Sequence, residues 1–172
     1  MAYFLPDIYK KDIFSINYDK LLESNIHCLI FDLDNTLALL DDKTCPEKTK
    51  KLIMELKKKF QVVMISNNIK SRIKPYKEEL DIDAISLAMK PLTTGLIRIR
   101  SKYKLKKNEM LMIGDQLVTD VLSAKLYGIK SCLVEPLGKK DLKITGLNRK
   151  VEELILNKYE KKKIFERGKY YE

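Results

Sequence analysis

The sequence predicts an α/β protein: a parallel sheet of about five strands with helices on both faces, in three layers. Three observations point there. Short β-branched or apolar runs alternate with segments of helical period, the pattern of strands joined by helical crossovers. The runs are apolar nearly throughout, as expected when both sheet faces are covered. Polar clusters follow several of these runs directly, at the strand ends where open α/β sheets bind ligands.

The elements can be placed in order. Residues 1–26 read as an extra, partly helical segment ahead of the first strand, and strands are expected at 27–33, 62–66, 84–87, 110–113 and 131–134. Thr44-Cys45-Pro46-Glu47 fits a capping box, with Pro46 early in the first turn where its missing N–H is harmless. Thr49, Leu52, Leu56 and Phe60 then recur at helical spacing. Pro75 would break a helix interior, so the second helix is expected to begin near it and run to Leu80. Leu92, Leu96, Ile99 and Tyr103 line one face of a third helix. A fourth covers 119–127 and stops at Gly128, a residue suited to the left-handed position after a helix. The last begins near Asn148 and carries Val151, Leu154, Ile155 and Tyr159 before turning basic. With no repeat or low-complexity linker, the 172 residues read as one domain, 1–172, with an N-terminal extension 1–26 and a basic C-terminal helix 148–172.

Composition narrows the function classes. No apolar run is long enough to span a bilayer, and charges at Asp7, Lys10, Lys11 and Asp12 rule out a signal-peptide core, so a cytoplasmic protein is expected. Cys28, Cys45 and Cys132 are widely spaced and form no CxxC pair, which argues against a disulfide framework or a zinc site. His27, the one histidine, has no metal-binding neighbours in sequence. The net charge of +10 could mark an anionic partner, but the lysines are scattered along helices and fit solvated faces. Nucleic acid as a partner rests on charge alone, with no binding motif behind it. The tail 158–172 mixes lysines with Tyr159, Phe165, Tyr170 and Tyr171, which suits either peripheral contact with a membrane or simple packing on the domain.

The chemistry lies in four polar motifs. Asp32-Leu33-Asp34-Asn35-Thr36 closes the first apolar run, so its carboxylates stand at the carboxyl edge of a strand. Two carboxylates so close need a cation or a proton, and Mg²⁺, which prefers oxygen ligands, suits them. Ser66-Asn67-Asn68 ends the second strand with a hydroxyl and backbone N–H groups. Lys90-Pro91 follows the third, and Gly114-Asp115-Gln116 with Thr119-Asp120 follows the fourth. Any one of these is weak, but four in order at four strand ends converge on one site.

This ordered set, spanning residues 28–120, resembles the four motifs of the haloacid-dehalogenase superfamily, whose fold is a Rossmann-like parallel sheet. The resemblance implies that Asp32 is the nucleophile that attacks phosphorus. Asp34 would be the general acid and then the base. Ser66, with Thr36 and Asn67, would bind the phosphate, and Lys90 would stabilise its charge. Asp115 would hold Mg²⁺ with Asp32 and the Asp34 main chain, with Asp120 behind them. Because Asp34 is a carboxylate, the phosphatase branch is implied. Only about thirty residues separate Thr36 from Ser66, too few for an inserted cap domain. Pro6-Asp7-Ile8-Tyr9, Val134-Glu135-Pro136-Leu137 and Asn148-Arg149 resemble the class IIIA, phosphatidylglycerophosphate-phosphatase-like group. The substrate implied is a phosphate ester, with a phospholipid one candidate and a soluble or nucleic-acid phosphate ester the alternative. A phospho-receiver signalling domain is the rival reading; it would carry an Asp after the third strand, where this chain has Lys90-Pro91. The motifs carry no information on oligomeric state.

Overall fold

The computed structural model describes residues 3–138 and 143–172; of the expected domain 1–172, residues 1, 2 and 139–142 lie outside the described ones. Six strands form one sheet: β1 (Ile8–Lys10), β2 (Cys28–Phe31), β3 (Gln61–Ile65), β4 (Asp83–Ile85), β5 (Met110–Gly114) and β6 (Lys130–Val134). Their spatial order is β1-β6-β5-β2-β3-β4, and every neighbouring pair runs parallel. Helices α1 (Tyr18–Glu23), α2 (Glu47–Leu56), α3 (Lys70–Leu80), α4 (Thr94–Tyr103), α5 (Leu122–Tyr127) and α6 (Lys143–Lys161) connect or flank the strands. The five expected strands are all present, and the sixth, β1, comes from the segment expected to be only partly helical.

Strand alternation builds two cores. In β2, Leu29 and Phe31 face one side with Val62, Met64, Leu111 and Ile113, under α1, α2 and α3. Cys28 and Ile30 face the other with Val63, Ile65, Met110 and Met112, under α4 and α5. All four β2 residues are therefore buried, which explains why its sequence shows no polar alternation. The three cysteines are free and buried among these apolar side chains.

Several helix limits differ from expectation. Helix α2 starts at Glu47 with Pro46 in the capping position, so no side chain caps it and the capping box at Thr44 does not form. Phe60 lies beyond the end of α2. Pro75 sits inside α3, which begins at Lys70, because the buried Ile73 and Tyr76 on either side of it anchor the helix. Leu92 precedes α4 and is exposed. Leu117–Val121 form a π-helical turn before α5, and Gly128 closes α5 at φ 82°. On α6, Val151 and Leu154 are exposed, while Ile155, Leu156 and Tyr159 pack toward the domain.

The tail closes back on the sheet. Tyr171 bridges Tyr9 in antiparallel fashion, with Tyr9 N–H donating to Tyr171 O and Tyr171 N–H to Tyr9 O, each at 2.9 Å. Phe165 is buried with its ring centroid 4.7 Å from that of Tyr9. The tail thus covers the free edge of β1, a position that an unprotected strand leaves open to aggregation. No helix among the described residues is long and apolar enough to cross a membrane.

Asp7 pins β1 to its neighbour. Its carboxylate accepts from Ser131 N–H at 2.8 Å, Ser131 Oγ at 2.9 Å and Lys125 Nζ at 2.5 Å. Burial works to raise its pKa, but these donors outweigh burial and hold it below the usual carboxylate range. A lowered folded pKa stabilises the fold above the unfolded value and loses that contribution as pH falls through the folded one. Because Asp7 is partly exposed and screened by solvent, Asp7→Asn should cost only about 0.5–1 kcal/mol at neutral pH by chemical denaturation. The gap to wild type should close as pH falls below about 4.

Candidate active site

The sheet reverses direction of growth at β2: β3 and β4 lie to one side, β5 and β6 to the other. Crossovers diverge at such a switch point, leaving a crevice at the carboxyl ends of the two central strands. Asp32 follows β2 and Asp115 follows β5, so both carboxylates stand in that crevice. Asp32 N–H donates to Ile113 O at 2.9 Å, extending the β2–β5 pairing by one residue to Asp32.

At the centre is a buried ammonium. Lys90 Nζ donates to Asp32 Oδ1 at 2.5 Å, to Asp120 Oδ1 at 2.6 Å and to Ile65 O at 3.3 Å. Burial works against its charge, but Asp120 and Asp32 outweigh burial and raise its pKa above the ordinary lysine value. Asn67 fixes the Lys90 main chain: Lys90 N–H donates to Asn67 Oδ1 at 2.6 Å, and Asn67 Nδ2 to Lys90 O at 3.0 Å. The Asn67 side-chain amide is thus engaged in holding the lysine loop, while the phosphate contact expected of Asn67 is through its backbone N–H.

Asp32, Asp115 and Asp120 are all buried, and each offers a carboxylate oxygen within 4.8 Å of the others. Burial pushes the Asp32 carboxyl well above the usual range; Lys90 opposes this, and Asp120 and Asp115 reinforce it. Burial likewise pushes Asp115 up to about 7, against the pull of Arg149. Among the described residues, three buried acids face one lysine and one arginine, so this group carries excess negative charge when ionised. An all-oxygen donor set of this kind fits a hard divalent cation. Asp120, expected to stand behind the metal ligands, shares the cluster with Asp32 and Asp115.

Thr36 is also buried, with its hydroxyl donating to Asp115 Oδ1 at 3.3 Å, so it orients that carboxylate. Ser66 is buried at the end of β3, and its Oγ accepts from Asn68 N–H at 3.1 Å. Asp34 stands apart from the acidic cluster, and its Oδ1 accepts from Arg72 Nη2 at 2.8 Å and Nε at 3.1 Å. Its Oδ2 accepts from Asn68 Nδ2 at 3.2 Å. Two carboxylates two residues apart in sequence thus have different surroundings: one enclosed beside a lysine, the other on the rim beside an arginine.

Sequence reasoning missed Arg72, Glu152 and the role of Arg149. Arg149 Nη1 donates to Asp115 O at 2.9 Å, and its Nη2 pairs with the Asp115 carboxylate. Glu152 holds Arg149 through Nη1 at 3.0 Å and accepts from Val118 N–H at 3.1 Å, so α6 braces the Asp115 loop. The Arg149/Glu152 pair at helical i,i+3 spacing was the available signal, though nothing local ties it to residues more than thirty positions earlier.

No helix or strand interrupts residues 37–46 beyond an isolated bridge from Asp34 to Ala38, so no cap is inserted after β2. Gly114 allows the Asp120 carboxylate to lie against the main chain, since a Cβ there would collide with it. Gly114→Ala should displace Asp120 from Lys90 and cost about 1–3 kcal/mol in denaturant unfolding.

Comparisons with known proteins place this geometry. Residues 1–137 match the family described as mitochondrial PGP phosphatase. The probable phosphatase YqeG of Bacillus subtilis is 38% identical over 161 residues, covering 93% of this chain and 94% of that protein. Among solved structures, a haloacid dehalogenase-like family hydrolase from Xanthomonas campestris aligns with TM-score 0.53 at 10% identity, covering 76% of this chain and 99% of its own. A probable YrbI family phosphatase from Pseudomonas syringae aligns with TM-score 0.51 at 16% identity, covering 81% and 90%. These two likenesses concern the fold. The uncapped parallel sheet, the acidic crevice at its switch point and the match over most of the chain lead to one conclusion: this phosphatase belongs to the PGP phosphatase family.

Proposed function

We propose that the enzyme hydrolyses phosphomonoesters through a phospho-aspartyl intermediate on Asp32, with Mg²⁺ as cofactor and phosphatidylglycerophosphate as substrate. The observation that carries this reading is the Asp32 carboxylate, buried at the switch point 2.5 Å from the Lys90 ammonium and beside two further acids. The substrate assignment is supported by the family match and by a site without a cap, which admits a phosphate attached to a bulky group.

Asp32 attacks phosphorus, the ester oxygen leaves, and Asp34 supplies its proton. Asp34 then takes a proton from water, which attacks the phosphorus of the acyl phosphate and releases inorganic phosphate, restoring Asp32. Ser66 donates to a phosphoryl oxygen, and Lys90 offsets the charge that builds on the transferring group. Asp32, Asp115, Asp120 and the Asp34 main-chain carbonyl would hold Mg²⁺, which neutralises phosphate charge and screens it from the incoming carboxylate. Thr36, Arg149 and Glu152 act indirectly by fixing Asp115. Arg72 and Asn68 aim the Asp34 carboxylate.

Asp32→Asn should abolish Mg²⁺-dependent turnover of an aryl phosphate while leaving the circular dichroism spectrum close to wild type, with a lower Tm because Lys90 loses a charged partner; retained activity would remove the nucleophile. Asp34→Asn should lower kcat by about 10²–10⁴-fold for alkyl phosphates and less for good leaving groups. Chelation should abolish activity and Mg²⁺ restore it. Phosphatidylglycerophosphate should be preferred over sugar and nucleotide monophosphates in a substrate panel, and the opposite ranking would reject the lipid assignment.

A further inference from the structure

Six large apolar side chains stand in solvent around the mouth of the crevice. Leu39, Ile69, Leu87, Met89, Leu92 and Leu137 are each between 41% and 61% exposed, and all lie in loops that follow the carboxyl ends of strands. Their backbones are joined to the catalytic loops. Leu87 N–H donates to Asn68 O at 3.0 Å, and Leu92 N–H to Met89 O at 2.9 Å. Leu137 N–H donates to Asn35 O at 2.9 Å, and Leu39 O accepts from Arg72 Nη2 at 2.9 Å. Leu87 and Met89 have φ of 49° and 52°, the left-handed region that such side chains seldom occupy. With that backbone, Ala88 and Lys90 are buried while Leu87 and Met89 remain outside. Strain held at a loop beside a site, in order to display apolar groups, points to contact with something.

The charge beside the rim identifies its partner. Lys70, in the first turn of α3 beside Ile69, and Lys74 one turn on line the hollow next to Ser86, adjoining Leu87, with Glu78 pairing Lys74 at 3.7 Å. An apolar patch flanked by lysines fits the headgroup level of an anionic bilayer. Of the tail's aromatic residues, Phe165 is buried against Tyr9, and Tyr170 and Tyr171 pack on Tyr9 while staying partly exposed. We propose that this rim is the surface on which the enzyme rests on an anionic membrane, presenting its open crevice to a phosphate that stays attached to its lipid. The proposal rests on the phosphomonoesterase reading of the crevice and assigns its partner surface.

The test separates the two. Asn tolerates the left-handed region, so Leu87→Asn/Met89→Asn removes the apolar groups without disturbing the fold. Wild type should sediment with vesicles containing phosphatidylglycerol, at low salt more than at physiological salt, and not with neutral phosphatidylcholine vesicles. The double variant should bind the anionic vesicles about tenfold more weakly, as should Ile69→Ser/Leu92→Ser. Both should keep wild-type turnover of a soluble aryl phosphate, and the first should have an equal or higher Tm. Vesicle binding unchanged in both variants, or absent in wild type, would overturn the proposal. So would conversion of a wild-type oligomer to monomer in sedimentation velocity, which would make the rim a contact between copies of this chain. Failure of wild type to turn over the aryl phosphate would instead count against the crevice chemistry, whatever the vesicles show.

Discussion

The structure depends on burying one ammonium group. Lys90 Nζ is almost wholly withdrawn from water, a state that would be prohibitive for an isolated charge. It is tolerated because three strand ends converge on it: Asp32 after β2, the Ile65 carbonyl at the end of β3, and Asp120 in the turn after β5. Removing one partner of such a group costs about 3–5 kcal/mol, because the other charge is left uncompensated. The same contacts that close the sheet's carboxyl edge therefore hold a positive charge against the carboxylate of Asp32, where a phosphoryl group would need it.

Around this centre, two arginines sort the remaining acids. Arg149, braced by Glu152 on α6, grips Asp115 from behind, so the last helix holds together a loop that begins on β5. Arg72, at the start of α3, draws Asp34 away from the cluster and ties it to the main chain at Leu39. Asp32 and Asp34 share a strand end, yet one is enclosed with Lys90 and two further acids and the other is paired with Arg72. Different environments for neighbouring carboxylates are what the proposed division of labour, Asp32 attacking and Asp34 moving protons, requires.

Much of this was legible in the amino-acid order, for physical reasons. β2, β3, β5 and β6 are buried on both faces, so their apolar runs are unbroken and easily read. Asp32, Ser66, Lys90 and Asp115 stand directly after strands or close behind them, where local pattern and chemistry coincide. β1 was hidden because it is a three-residue edge strand, Ile8–Lys10, held by Asp7 and by a tail more than 150 residues away. The start of α3 was obscured by Pro75, whose disruption is offset by burial of Ile73 and Tyr76. Leu92 matched the period of α4 but lies before its first turn, and periodicity carries no information on where a helix begins. Arg72 and Arg149 act across 38 and 34 positions of sequence, and such pairings follow only from the folded topology.

The central claim is that the Asp32 carboxylate forms a bond to phosphorus. The most direct measurement is borohydride quenching during steady turnover, followed by peptide mass spectrometry. An acyl phosphate on Asp32 would be reduced, so the account predicts homoserine at position 32 and nowhere else, dependent on both substrate and Mg²⁺. Turnover with an unmodified Asp32, or reduction at Asp34, Asp115 or Asp120 instead, would contradict it.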